Sequence, residues 1–262
     1  MRPLRKSPQR RPGARPLEPR LIHSPPGMFT NPPPNPPRGK ARTLALFDLD
    51  HTLLPIDSDY EWARFLAGLG VIDAAEHGRQ NDEFLRQYQA GTLDIGAFLA
   101  FQLAPLAAHP RATLDRWHER YMTEVIRPAI RPSARELVAK HLTNGDLCAL
   151  VTATNEFVTA PIAAEFGLAH LVATTIEWAD GRFTGRPRGT PSFREGKIIR
   201  TQQWLTELGE SFESFDQSWF YSDSINDLPL LSAVSHPVAT NPDAKLEITA
   251  RERGWPVLRL FQ

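Results

Sequence analysis

From residue 43 onward the chain alternates short apolar runs with amphipathic stretches. That alternation predicts a parallel sheet whose strands are joined by crossover helices. Thr43–Asp48 reads as the first strand, and Asp146–Thr152 as another. Before the latter, Leu137, Val138, His141 and Leu142 recur at helical spacing in a helix from about Pro132 to Thr143, which Asn144-Gly145 stops. Asn155 begins a further helix through Val158, Ile162 and Phe166 that ends at Gly167. Leu171–Glu177 and Arg182–Thr184 read as a β-ribbon around the turn Ala179-Asp180-Gly181. Glu195–Leu208 is a predicted helix, Ser218–Ser222 and Val238–Thr240 are predicted strands, and Pro256–Leu260 closes the chain.

The stretch from about Asp59 to Arg131 breaks this rhythm. Tyr60–Leu69, Asn81–Gln89, Leu93–Leu106 and Thr113–Val125 all carry helical patterns, with no convincing strand among them. The first strand can pair only with strands that come later, so this block is expected to be an insertion. Its natural place is over the carboxyl edge of the sheet, as a lid that shapes substrate choice and excludes water. A helical half of the core is the alternative. The expected division is a tail at 1–40, an α/β core at 41–58 and 132–262, and a helical cap at 59–131.

Composition changes the picture at the amino end. Residues 1–40 hold nine of the 30 Lys and Arg, one acid (Glu18) and twelve of the 24 prolines. Such a segment cannot bury a core and is expected to be disordered. It reads as a dispensable tail, or as the product of a start earlier than Met28; a basic arm for membrane or nucleic acid is the functional alternative. The rest carries 21 bases against 29 acids, a net charge of −8. That balance argues against a nucleic-acid binder. No stretch approaches 18 consecutive apolar residues, so no membrane span is expected. The head lacks the apolar core of a secretory signal. The single cysteine, Cys148, lies inside an apolar run and reads as a buried small hydrophobe, which makes the cytoplasm the expected compartment.

Four features at strand ends and helix starts describe one phosphate site. Leu44-Ala45-Leu46-Phe47 runs directly into Asp48, Asp50 and Thr52. A hydrophobic strand that finishes in acids has put them at the carboxyl edge, where open α/β sheets do their chemistry. A carboxylate fixed there can attack phosphorus, and one two residues on can protonate the leaving oxygen and then deprotonate the attacking water. Thr152 ends the second strand; its hydroxyl, with the amides at Ala153 and Thr154, can cradle an anion, although Thr154 or Asn155 could equally be an ordinary helix cap. Lys197 stands in the first turn of a helix, where the dipole disfavours a cation, so a phosphate oxygen held nearby would account for it; the alternative is a solvated surface lysine. Ser222-Asp223-Ser224-Ile225-Asn226-Asp227 again ends a strand in acids. Oxygen ligands of this kind suit Mg²⁺, with Asp48 and Asp223 as direct ligands. Asn226 could donate to the phosphate, and Asp227 could orient a water or Lys197, or cap a helix. His51 reads as a turn residue pointing away, and Trp62 as a candidate for the mouth of the site.

Taken in this order, Asp48-x-Asp50-x-Thr52, Thr152, Lys197 and Asp223-Ser224-x-Asn226-Asp227 resemble the haloacid dehalogenase superfamily of aspartyl phosphatases. The helical block after the first motif, and the runs "GKIIR", "SDSINDLPLL" and "HPVATNPD", resemble its phosphoserine-phosphatase-like branch. The resemblance covers about residues 42–262. It implies a Rossmann-like parallel sheet core with an all-helical cap, Mg²⁺, an aspartyl-phosphate at Asp48, and Asp50 as acid/base. It also implies metal ligation by Asp48, Asp223 and the Asp50 backbone carbonyl, with Thr52, Ala153 and Asp227 in support. Where that branch has Ser followed by glycines, this chain has Thr152 and Ala153. Asp57, Asp59 and Glu61 follow the first motif and would suit a substrate with an ammonium or imidazolium group, so histidinol phosphate is as natural a candidate as phosphoserine. The expected partner is a small phosphate ester, with no nucleic acid and no membrane, and the protein a monomer or homodimer. A phosphotransferase with the same residues, or a phospho-accepting signalling module, are the competing readings.

Overall fold

A computed structural model of the protein describes residues 41–261 other than Gly91. The expected tail at 1–40 lies outside the described residues.

Six strands form one parallel sheet: β1 (Thr43–Phe47), β2 (Leu147–Asn155), β3 (His170–Thr174), β6 (Gln217–Ser222), β7 (His236–Thr240) and β8 (Val257–Leu258). Their order is β3-β2-β1-β6-β7-β8, so the first strand is central. Alternate side chains leave opposite faces. Ala45 and Phe47 join one hydrophobic cluster, with Cys148, Leu150 and Tyr221. Leu44 and Leu46 join the other, with Ala149, Val151 and Phe220. Both faces are therefore covered, which explains why β1 reads as a continuous apolar run.

Between β1 and β2 the described residues are helical or irregular. They comprise α1 (Ser58–Gly68), α2 (Ala74–Ala90), α3 (Ile95–Ala108), α4 (Arg111–Tyr121), a π-helical stretch at Met122–Ile126, the short α5 (Arg127–Ala129) and α6 (Pro132–Asn144). Aspartates start two of these helices: Asp57 accepts from the amides of Asp59 and Tyr60, and Asp94 from those of Gly96 and Ala97. Gly145 ends α6 at φ 78°. After β2 come α7 (Glu156–Glu165), the antiparallel ribbon β4 (Ile176–Ala179) and β5 (Arg182–Pro187), α8 (Glu195–Glu207), α9 (Leu228–Ala233) and α10 (Ala244–Arg253).

Three expectations are corrected. The run Leu171–Glu177 is not one arm of a ribbon: its first half is β3, paired parallel to β2, and only the second half enters β4. β2 does not stop at Thr152; its ladder is interrupted after Val151 and resumes where Asn155 meets Thr174. Trp62 does not line a mouth. It is 3% exposed, in a cluster with Phe65, His118, Tyr121 and Phe157 that packs α1 against α4 and α7.

Candidate active site

The sheet delivers the acids because β1 ends almost level with β6, where Phe47 pairs with Tyr221 and Ser222 ends the neighbouring strand. The Asp48 amide still donates to the Tyr221 carbonyl at 2.9 Å, which extends the ladder one residue and fixes the Asp48 backbone. Leu49, Leu53 and Leu54 are fully buried, and the amides of Thr52, Leu53 and Leu54 all bond to the Leu49 carbonyl. The turn after the strand is thereby anchored from inside. His51 occupies its tip at φ 56°, exposed, as expected for a residue pointing away.

Around Asp48 the structure brings together residues far apart in sequence. Lys197 Nζ donates to Asp48 Oδ1 at 2.9 Å and to Asp227 Oδ2 at 2.6 Å. Asp227 Oδ2 also accepts from Ser222 Oγ at 2.7 Å. Thr52 Oγ1 donates to Asp223 Oδ1 at 3.1 Å, lies 3.5 Å from Asp48 Oδ2, and accepts from the Asp223 amide at 2.9 Å. Lys197 is thus neither a surface lysine nor a helix ornament; it is 3% exposed between two carboxylates. Burial opposes its charge, but Asp227 and Asp48 outweigh that and raise its pKa.

Asp50 is held by a different set of partners. Its carboxylate accepts from the Ser58 amide at 2.6 Å and from Thr154 Oγ1 at 3.0 Å. Tyr121 donates to the Ser58 carbonyl at 2.7 Å and so braces that amide. Burial, together with the negative Asp57, pushes Asp50 up to about 7, although the Ser58 amide opposes the shift. A carboxyl group so poised can both give and take a proton at neutral pH.

Thr152 is 1% exposed at the break in the β2 ladder, and its Oγ1 accepts from the Thr154 amide at 3.2 Å. The interruption frees the backbone around Ala153 from strand pairing on the very level of the acids. Asn155 caps α7 through the Val158 amide at 3.1 Å, as one of the two alternatives had it; Thr154 instead serves Asp50. Asn226 stands further out: its Oδ1 accepts from Arg194 Nε at 3.1 Å, and Ser224 Oγ lies 3.3 Å from its amide.

The donor set fits a hard divalent cation. Asp48 and Asp227 hold the single ammonium of Lys197 between them, and Asp223 adds a third carboxylate beside them. Burial, then the like charges of Asp48 and Asp227, drive Asp223 well above the carboxylate range, against the lowering effect of the Thr52 hydrogen bond: the mark of crowded negative charge. Among the described residues no cluster of three or more His, Cys, Asp or Glu side chains forms a metal cage. Two carboxylates and a main-chain carbonyl, completed by water and ligand oxygens, is a set that Mg²⁺ accepts.

Several residues at this edge have partners that the sequence did not indicate. Thr154 and Ser58 hold Asp50, and Ser222 holds Asp227. Asn241 Nδ2 donates to the carbonyls of His51 and Thr52, and the Asp243 amide to that of Asp223 at 2.7 Å. The run "ATNPD" therefore buttresses two acid-bearing loops at once. From α2, Tyr88 places its hydroxyl 2.8 Å from Ser224 Oγ.

The chain is similar to several known proteins. The model of the haloacid dehalogenase-like hydrolase family matches residues 45–232. A histidinol-phosphatase of Neisseria meningitidis is 50% identical over 218 residues, 83% of this chain and 98% of that protein. Phosphoserine phosphatase SerB1 of Mycobacterium tuberculosis is 33% identical over 81% of this chain and 69% of its own. A crystal structure of a protein of unknown function from Bordetella pertussis superposes with a TM-score of 0.81 at 55% identity, covering 85% of this chain and all of that one.

Proposed function

From a chain that belongs to the haloacid dehalogenase-like hydrolases, and is a phosphatase, we propose a specific reaction: hydrolysis of a small amino-acid-related phosphomonoester through a phosphoryl group carried on Asp48. The observation that carries this reading is the contact of Lys197 with Asp48 at the end of β1, beside Asp223 and Asp227.

In this mechanism Asp48 attacks phosphorus and forms an acyl-phosphate. Asp50, held near neutrality, protonates the departing alkoxide and then takes a proton from the water that opens the acyl-phosphate. Lys197 and the Thr152 hydroxyl, with the Ala153 amide, neutralise and orient the phosphoryl oxygens, and Asn226 reaches them from the rim. Asp227 and Thr52 hold Lys197 and Asp223 in position. The family generally uses Mg²⁺; here Asp48, Asp223 and the Asp50 carbonyl would hold it, and it would supply charge neutralisation at the phosphate. The helices between β1 and β2, residues 59–131, form the cap of this reading, over a core of 41–58 and 132–262.

We favour histidinol phosphate as substrate, with phosphoserine as runner-up. The relative at 50% identity carries the first name, and that at 33% the second. The acids after the first motif supply a chemical reason. Glu61 is paired with Arg64 at 2.8 Å and Asp57 caps α1, whereas Asp59 is buried with the amide of Asn155, at 3.4 Å, as its polar neighbour. A buried carboxyl group without a cation suits a ligand that brings one. The proposal extends to a monomer or homodimer in the cytoplasm. Among the described residues no helix is long and apolar enough to cross a membrane.

The test is phosphate release with Mg²⁺ from histidinol phosphate, phosphoserine, sugar phosphates and nucleotides, with Asp48→Asn as control. Preferred release from histidinol phosphate, lost in the variant, is the expected result. Comparable turnover of sugar phosphates would remove the amine-bearing substrate, and full activity of Asp48→Asn would remove the mechanism.

A further inference from the structure

Arg194 holds a backbone conformation that side chains avoid. Its φ of 51° and ψ of −122° lie outside the regions open to a residue with a Cβ. Such a residue persists only where its surroundings over-determine it, and such residues cluster at functional sites. The surroundings here are the turn that delivers Lys197. The Phe193 amide bonds to the Pro191 carbonyl, that of Gly196 to Phe193, and that of Lys197 to Arg194, at 2.9, 2.9 and 3.0 Å. Gly196 packs so closely that a Cβ on it would stand 2.0 Å from the Pro191 oxygen. Glycine would accept the conformation at 194 freely. The chain instead carries its bulkiest cation there.

That cation is only partly committed. Its Nε donates to Asn226 Oδ1 at 3.1 Å, and the guanidinium lies 5.0 Å over the Phe193 ring. Among the described residues it forms no ion pair, in contrast to Lys197, which two carboxylates occupy. The formal count at the site is three carboxylates against one ammonium, which a divalent cation would only cancel. A phosphomonoester adds close to two negative charges at neutral pH. Arg194 is the side chain at this rim with donors to spare, in a planar fork that matches phosphate.

We propose that Arg194 is a phosphate-binding, specificity-determining residue, whose guanidinium leaves the Asn226 side chain to grip an outer oxygen of a dianionic phosphomonoester. It selects monoesters over singly charged diesters, and hands the Asn226 amide to the same phosphate. This inference rests on the phosphatase reading above.

The test compares wild type, Arg194→Gly, Arg194→Gln and Arg194→Lys in Mg²⁺. The readouts are KM and kcat for histidinol phosphate, and the rise in Tm caused by inorganic phosphate. The Gly variant should be at least as thermostable as wild type, because it relieves the backbone. The Gly and Gln variants should raise KM about tenfold or more and lose most of the phosphate-induced rise, with kcat within a few-fold, as expected for loss of a charged hydrogen bond. Lys should recover part of both. A Gln variant with wild-type KM and wild-type response to phosphate would overturn the proposal, as would a Lys variant no better than Gln. A wild type that binds phosphate but releases none from any ester would instead overturn the phosphatase reading, and the Tm series would still decide the role of Arg194.

Discussion

Asp59 shows how a single buried acid sets a pH dependence. Burial first, then the negative charges of Asp57 and Asp50, raise its pKa well above that of an exposed aspartate. The folded protein therefore holds a proton here that the unfolded chain releases near pH 4. A raised folded pKa contributes stability that is fully present below the unfolded value and is lost as pH climbs through the folded one. Wild type should thus lose more of its unfolding free energy between pH 5 and pH 8 than Asp59→Asn does, by denaturant titration at each pH. Equal losses would show that Asp59 is ionised in the native state. A cationic substrate head beside it would release that proton, so a substrate analogue should also flatten the wild-type profile.

At the scale of elements, the placement of Lys197 depends on one close backbone approach. Gly196→Ala puts a methyl group where the Pro191 carbonyl stands, and overpacking of this kind costs about 1–3 kcal/mol. Because the turn also aims Lys197, kcat should fall on the order of a hundredfold, as for other small misplacements of a reacting group. Unchanged kcat in a folded variant would mean that α8 tolerates a shifted start. The elements that carry the acids were legible because an apolar run that stops abruptly at Asp48 or Asp223 has no other sensible place than a strand end. Lys197 was legible as an oddity, a cation where a helix prefers acids. Other features left no local trace. α2 begins at Ala74 rather than at the expected Asn81, and its first turns, from Ala74 to Gln80, offered no apolar stripe to read. β3 was hidden because Leu171–Glu177 is one unbroken run, and nothing local tells parallel pairing with β2 from a ribbon. Thr154 and Tyr88 find their partners 104 and 136 residues away, a distance at which spacing says nothing.

For the whole molecule, the site works against the stability of the fold around it. Asp48 and Asp227 share one ammonium, and Asp223 stands close enough to both to be repelled by them. A ligand that binds only the native state stabilises it, by about 2.7 kcal/mol at a hundred times its Kd. For a chain of this size that is roughly 5–11 °C in Tm. Mg²⁺ should therefore raise the melting temperature by several degrees and EDTA should reverse the rise. A midpoint indifferent to Mg²⁺ would argue that the acids are not a cation site. The overall architecture was readable because alternation of strands and helices constrains topology strongly; the class of substrate, an amino-acid-related phosphate ester, was readable from the motifs, whereas the choice between histidinol phosphate and phosphoserine was left open. The central place of β1 carries a last consequence, in time. Thr52 meets Asp223 across 171 residues of chain. At a synthesis rate of 5–20 residues per second, nascent β1 waits on the order of 10–30 s before its second neighbour leaves the ribosome. The earliest-made part of the active site is thus among the last to be secured, and a chaperone would find its longest opportunity there.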